Sequence, residues 1–396
     1  MTSRRSFLRT GAAIGGALGL TGLPKALLGQ RDPFLLPQPV TKAPASLNIL
    51  ILGGTGFTGP EQVEYAIARG HRVTLFNRNK TRPGYFKGRV AEELVGDLNN
   101  DTSALKGRTF DVVLDNPTTF PAWVRTAAQQ LSGNVKHYIF QSTTSVYSDQ
   151  SIIGLDEKSP VAELPADIDS YTLDPQHASR YYGALKIKAE QEVARQYSGM
   201  WTVVRPCLIV GPMDRTDRFT YWPARLDAGG EILAPDKPED PCQFIDVRDL
   251  AEFSVRLAES RVLGTFNVIG PEKPLTIAEM LYGVKAITAT KGHLTWVPWA
   301  FLQEQGIRPW RHMTVWQPPY GATAGYQRRN ASKAIAAGLT FRSLADTAQT
   351  TLDWHRTRPQ AEQEATLKGA INGLDMKREA EVLAAWHAKQ KATGPG

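Results

Sequence analysis

Cysteine is almost absent: Cys207 and Cys242 are the only two in 396 residues. Two thiols make no disulfide framework and read as buried free thiols, although an oxidising compartment would permit a pair. The seven histidines are scattered, and no Cys/His spacing resembles a metal site. From residue 47 onward no apolar run is long enough to cross a bilayer. Blocks of Lys and Arg are missing as well. The formal charge of +7 is concentrated at the start, where Arg4, Arg5, Arg9 and Lys25, with no acid among residues 1–29, supply four of the seven. The remaining +3 is spread over an ordinary surface and argues against nucleic acid as a partner. What is present is 42% hydrophobic residues against 21% charged. That is enough for one large core or two unequal ones, and too apolar for disorder.

Ser3-Arg4-Arg5-Ser6-Phe7-Leu8-Arg9 matches the bacterial twin-arginine export pattern. A weakly apolar, Gly-rich run, Thr10–Leu23, and the basic Lys25 follow it. Residues 1–29 are therefore expected to be a signal for the twin-arginine translocase, and the protein to be periplasmic. No clean small-residue cleavage site precedes Gly29, so retention as a membrane anchor stays open. Residues 30–46, with four prolines, read as a linker.

Leu47–Leu52 is a short apolar run of the kind a strand buried on both faces requires. It leads into Gly53-Gly54-Thr55-Gly56-Phe57-Thr58-Gly59, then Pro60 and an apolar helix face at Val63, Ala66 and Ile67, with Gly70 as the stop. A second strand, Arg72–Phe76, follows. In that context the glycines have separate tasks: Gly53 for the turn, Gly56 for approach of the backbone to a pyrophosphate, Gly59 for helix packing. The helix N-terminus offers free N–H groups to phosphate. Where an NAD-preferring site carries Asp or Glu, this chain reads Asn77-Arg78-Asn79-Lys80-Thr81-Arg82. Arg78 can clamp a 2′-phosphate, so NADP is expected, with NAD still admissible. Three more strands follow: Glu93–Val95 ending in Gly96-Asp97-Leu98, Phe110–Leu114 ending in Asp115-Asn116, and His137–Phe140 ending in Gln141-Ser142-Thr143. The alternation predicts an α/β fold, a doubly wound parallel (Rossmann) sheet with a smaller C-terminal substrate domain. The expected division is 47–211 mainly for the dinucleotide domain, 212–358 mainly for substrate but interleaved with the last Rossmann elements, and 359–396 as an appended surface or oligomer helix, a homodimer being left open.

Tyr182-Gly183-Ala184-Leu185-Lys186 opens a helix running to about Tyr197 and sets Tyr182 and Lys186 on one face. With the glycine motif, Ser142–Tyr147, Val204-Arg205-Pro206, Phe244–Leu250 and Asn330-Ala331-Ser332-Lys333-Ala334, the chain over about 47–356 resembles the extended short-chain dehydrogenase/reductases, the NAD-dependent epimerase/dehydratase family. Within it, the chain is most similar to a bacterial branch labelled isoflavone-reductase-like. The resemblance implies Tyr182 as acid/base, Lys186 holding the nicotinamide ribose and lowering the Tyr pKa, and Thr143 orienting the substrate oxygen, with Ser142 as runner-up. It further implies cofactor contacts at Gly53, Thr55, Gly56, Phe57, Thr58, Gly59, Asn77, Arg78, Asp97, Leu98, Asp115, Lys186 and Pro206. The chemistry agrees, because a phenol with a pKa of about 10 needs a nearby cation to act as base at neutral pH.

Members acting on UDP-sugars carry an Asn where this chain has Leu208, and an Arg where it has Cys242 and Gln243. The expected substrate is accordingly a free sugar-like or ring-bearing small molecule, with Ser145, Arg215, Arg218 and Tyr221 as candidate contacts. Most of the tryptophans after residue 290 read as core. Two other classes compete: a non-catalytic dinucleotide sensor, against which Thr143, Tyr182 and Lys186 argue, and an RNA-binding atypical relative, against which the charge argues.

Overall fold

The computed structural model describes residues 40–392, so the twin-arginine segment and most of the linker lie outside the described residues. Seven strands form one sheet: β1 (Asn48–Leu52), β2 (Arg72–Asn77), β3 (Glu92–Val95), β4 (Phe110–Asp115), β5 (Val135–Gln141), β6 (Trp201–Pro206) and β10 (Gly264–Val268). Their spatial order is β3-β2-β1-β4-β5-β6-β10, and every pairing is parallel. The order reverses between β1 and β4, which opens a crevice at the carboxyl ends of those strands. Alternate residues serve opposite faces. Ile49, Ile51, Val73, Leu75, Val112 and Leu114 pack with α1 (Gly59–Arg69) and α5 (Val247–Ser260). Leu50, Leu52, Phe76, Val113, Tyr138 and Phe140 pack with α2 (Pro121–Leu131) and α3 (Tyr182–Gln196). A sheet covered on both faces explains why its strands read as unbroken apolar runs.

The helix signals work as expected. Pro60 lies in the first turn of α1, and Gly70 closes it with φ +92°. The Phe244–Leu250 stretch is structural: Asp246 accepts the Arg248 N–H to cap α5, holds the Arg248 guanidinium at 2.7 Å, and accepts the Thr347 hydroxyl.

The smaller region has its own core. It contains β7 (Ile209–Val210), α4 (Tyr221–Ala228), β8 (Gly230–Pro235), β9 (Pro241–Asp246), β11 (Gly270–Thr276), α6 (Ile277–Ala286) and β12 (Gly292–Val297). β11, β9 and β7 form one small sheet, and β8 and β12 another. The expected appended helix is corrected here. α11 (Met376–Ala392) buries Val382 and Leu383 in this core. Its buried Glu379 pairs with Arg225 of α4 at 2.6 Å and accepts the Leu233 N–H. A charge at that depth is tolerated only because both oxygens are met.

Candidate active site

Two adjoining cavities lie at the carboxyl ends of the sheet strands. The first, about 450 Å³, is lined by the glycine turn, by Asn77-Arg78-Asn79-Lys80-Thr81 after β2, by Gly96-Asp97-Leu98 after β3, and by Asn116-Pro117 after β4. The turn requires its glycines. Gly53 has φ +77°, and a Cβ on Gly59 would lie 2.4 Å from the Gly53 carbonyl oxygen. Gly56 meets nothing closer than 3.5 Å, so its backbone is open to a ligand. Asn77 Oδ1 is buried there without a hydrogen-bond partner. These residues fit a dinucleotide, with phosphates at the α1 N-terminus. Arg78 and Lys80 are exposed and have no carboxylate ion pair among the described residues.

The second cavity, about 200 Å³, shares Phe57, Asn116, Gln141 and Ile209 with the first. It brings together Thr143, Ser145, Tyr182, Lys186, Pro206 and Arg218. α3 begins at Tyr182, so Tyr182 and Lys186 lie one turn apart on its cavity side. Tyr182 is 38% exposed by area, yet its hydroxyl end lies deep enough for burial to raise the phenol pKa. Arg218 and the Thr143 hydroxyl pull it back down. Arg218 is a cation close enough to act on the phenol, beside the Lys186 that the resemblance implied. Lys186 itself is buried, with Nζ donating to the Thr118 and Gln141 carbonyls, both at 2.6 Å. Burial pushes its ammonium down to about 8, against the pull of Asp115 and Glu190. Thr143 Oγ1 also accepts the Ser145 N–H at 3.1 Å, which fixes its rotamer.

Several expected contacts stand elsewhere. Ser142 donates to Glu190, which is locked to Arg205 at 2.6 Å, so the runner-up hydroxyl is committed to a buried network. Asp115 does not line the nucleotide cavity. It is buried below the crevice, where it accepts the Tyr138 hydroxyl at 2.6 Å, and burial raises its pKa. Tyr221 is a correction: it is 1% exposed, at the start of α4, and packs edge-on against Trp222. Arg215 is exposed and lines neither cavity.

Sequence reasoning missed three participants. Trp310 and Tyr326 form an aromatic wall of the second cavity, their rings 5.1 Å apart and edge to face. Arg82 reaches over the glycine turn, donating to the Gly56 carbonyl at 3.1 Å and to Met213 Sδ at 2.7 Å. Arg82 is one of three cations within five residues after β2, with Arg78 and Lys80, but nothing local showed which would reach the turn. Cys207 also lines this cavity, and burial pushes its thiol up to about 12, so the thiolate is suppressed. Both cysteines are free.

Comparison with known proteins agrees with this geometry. Residues 112–270 match the NAD dependent epimerase/dehydratase family. The chain is similar to the chloroplast stem-loop binding protein of 41 kDa b of Arabidopsis thaliana, 28% identical over 268 residues, or 62% of this chain. It spans about three fifths (61%) of that relative's length. The fold is similar to UDP-glucose-4-epimerase from Stenotrophomonas maltophila, with TM-score 0.57, 17% identity, and coverage of 80% of this chain and 99% of that one. UDP-N-acetylglucosamine 4-epimerase from Bacillus cereus is similar at TM-score 0.56 and 18% identity, over 79% and 98% of the two chains. The match to the NAD dependent epimerase/dehydratase family is carried by residues 112–270, and the likeness to the two solved epimerases is one of fold.

Proposed function

We propose that the protein is an NADP(H)-dependent oxidoreductase or epimerase of the isoflavone-reductase-like branch, acting at a secondary alcohol or ketone of a small ring-bearing molecule. The observation that supports this best is the continuity of the two cavities: Tyr182 and Thr143 line a pocket that shares four wall residues with the nucleotide cleft. When bound, NADP(H) supplies or accepts the hydride. Tyr182 exchanges the proton with the substrate oxygen, and Thr143 hydrogen-bonds the same oxygen. An ammonium has three donors, and Lys186 spends two on backbone carbonyls, which leaves one for a ribose hydroxyl. Arg78 and Lys80 favour a 2′-phosphate, since no carboxylate stands among the residues after β2 to repel it. The name of the Arabidopsis relative raises a stem-loop binding reading. The charge of +3 beyond residue 29 and the missing basic–aromatic stripe give it less support.

Tyr182→Phe removes one hydroxyl and keeps the ring. Turnover of an identified substrate should fall at least about a hundredfold, while NADPH fluorescence shows unchanged binding. Retention of most activity would move the acid/base role to another group.

The export reading adds a constraint. The twin-arginine route carries folded proteins, and free NADPH is scarce beyond the membrane. An exported enzyme of this kind is best served by a tightly held cofactor restored to its starting redox state each cycle, as in epimerisation or coupled oxidation and reduction.

A further inference from the structure

The second cavity has a composition that the hydride-transfer reading does not use. None of its lining residues is acidic, and two, Lys186 and Arg218, are basic. The charge of Lys186 has Asp115 and Glu190 beside it. Arg218 has no carboxylate ion pair among the described residues. Its Nε donates to Thr216 Oγ1 at 2.9 Å, and its guanidinium stands 5.9 Å from the Trp310 ring centre. Asp214, the acid nearby on the same loop and within reach of the Arg218 field, directs one oxygen to the Thr216 N–H and hydroxyl, and its other oxygen is buried without a hydrogen-bond partner.

A second unpaired cation reinforces the field. Arg329 is 6% exposed, stacks on the Tyr326 ring at 4.3 Å, and donates Nη2 to Gln150. Its Nε has no hydrogen-bond partner, and no carboxylate pairs with it among the described residues. Gln243 clamps it in place from both sides, donating to the Arg329 carbonyl and accepting the Arg329 N–H, each at 2.9 Å. Arg218 in the lining of a pocket without acids, and Arg329 stacked on its Tyr326 wall, create a positive potential in a low-dielectric space. Such a space favours an anion over a neutral ligand of the same shape.

Size narrows the class further. About 200 Å³ lies below the roughly 300–1,000 Å³ typical of sites for drug-sized ligands. Tyr182, Trp310 and Tyr326 wall it with aromatic faces suited to one ring. Arg218 is also close enough to Tyr182 to act on its phenol. A planar fork near the acid/base matches a carboxylate held beside the reacting oxygen.

We propose that the second cavity takes a small single-ring hydroxy or keto acid, its carboxylate bound by Arg218 beside Tyr182, with Arg329 holding the wall positive. The inference rests on the hydride-transfer reading for the reaction, but not for the binding.

The test titrates the full chain, loaded with NADP, with benzoate and with benzamide at neutral pH, followed by calorimetry or ligand-observed NMR. Benzoate should bind at least about tenfold more tightly. Arg218→Gln should reduce that preference to within about twofold, Arg218→Lys should restore part of it, and NADP affinity should report that both variants are folded. Absence of benzoate binding, equal binding of benzamide, or a preference that survives in Arg218→Gln would overturn the proposal. A panel of cyclic hydroxy acids and their amides separates the two readings. Arg218-dependent benzoate binding without any Tyr182-dependent turnover keeps this site and removes the reductase. Turnover of neutral ring ketones without benzoate preference does the reverse.

Discussion

A methyl group at position 183 would lie 2.2 Å from the carbonyl oxygen of Ser145. That distance explains why a glycine follows Tyr182. α3 must run against the loop after β5 for Tyr182 and Thr143 to face one pocket, and only a residue without Cβ permits the approach. Gly183→Ala should lower stability by about 1–3 kcal/mol and reduce kcat, because the loop or the helix start has to move. Melting temperature and turnover unchanged from the parent would show that the contact yields freely. At this scale the glycines of the turn, Tyr182 and Lys186 line the cavities where the sequence placed them, the glycines from their strand–turn–helix context and the other two through the family resemblance. Tyr221 does not. An aromatic beside arginines reads alike in a core or at a pocket wall, and only the packing of α4 onto α6 and of the Gly373 turn against the Tyr221 ring decides.

Among the elements, β1 to β5 were readable to within a residue or two, since a strand covered on both faces announces itself as an apolar run ended by polar residues, whereas β6 and β10 were given no bounds. α11 was located correctly but assigned to the surface. Its buried face is short, and the acid that anchors it, Glu379, finds Arg225 some 150 positions earlier, which no local pattern can show. Strand β5 carries a testable consequence of parallel packing. His137 is fully buried, with Nε2 on the Thr202 hydroxyl of β6 and Nδ1 unpartnered. Burial pushes its pKa down to about 4 from 6.5, so the unfolded chain binds the extra proton first. Stability is therefore intact above pH 6.5 and lost as pH falls towards 4, by about 3 kcal/mol in total. Denaturant melts of the parent and of His137→Gln should converge as the pH drops through that window. Parallel acid sensitivity in both would assign the loss to other groups, such as His355, whose pKa burial also pushes down to about 4.

For the molecule as a whole, the two-part architecture was anticipated from composition, but the join between the parts was not. The walls of the second cavity come from the glycine turn, the ends of β4 and β5, α3, the segment after β6, and residues 310 and 326, a set dispersed over about 270 positions. Location is a separate matter, resting on residues 1–29. A reporter fused after residue 46 should be exported only where a twin-arginine system works, and Arg4→Lys with Arg5→Lys should stop it. Export by the double variant would contradict the signal. The central claim, a dinucleotide site selective for the 2′-phosphate and joined to a Tyr182 pocket, is tested most directly by calorimetric titration of the purified chain with NADPH and NADH. Tighter binding of NADPH by about tenfold or more, with the preference lost in Arg78→Ala and NADH affinity nearly unchanged, is the expected result. Binding of neither nucleotide, or tighter binding of NADH, would contradict it.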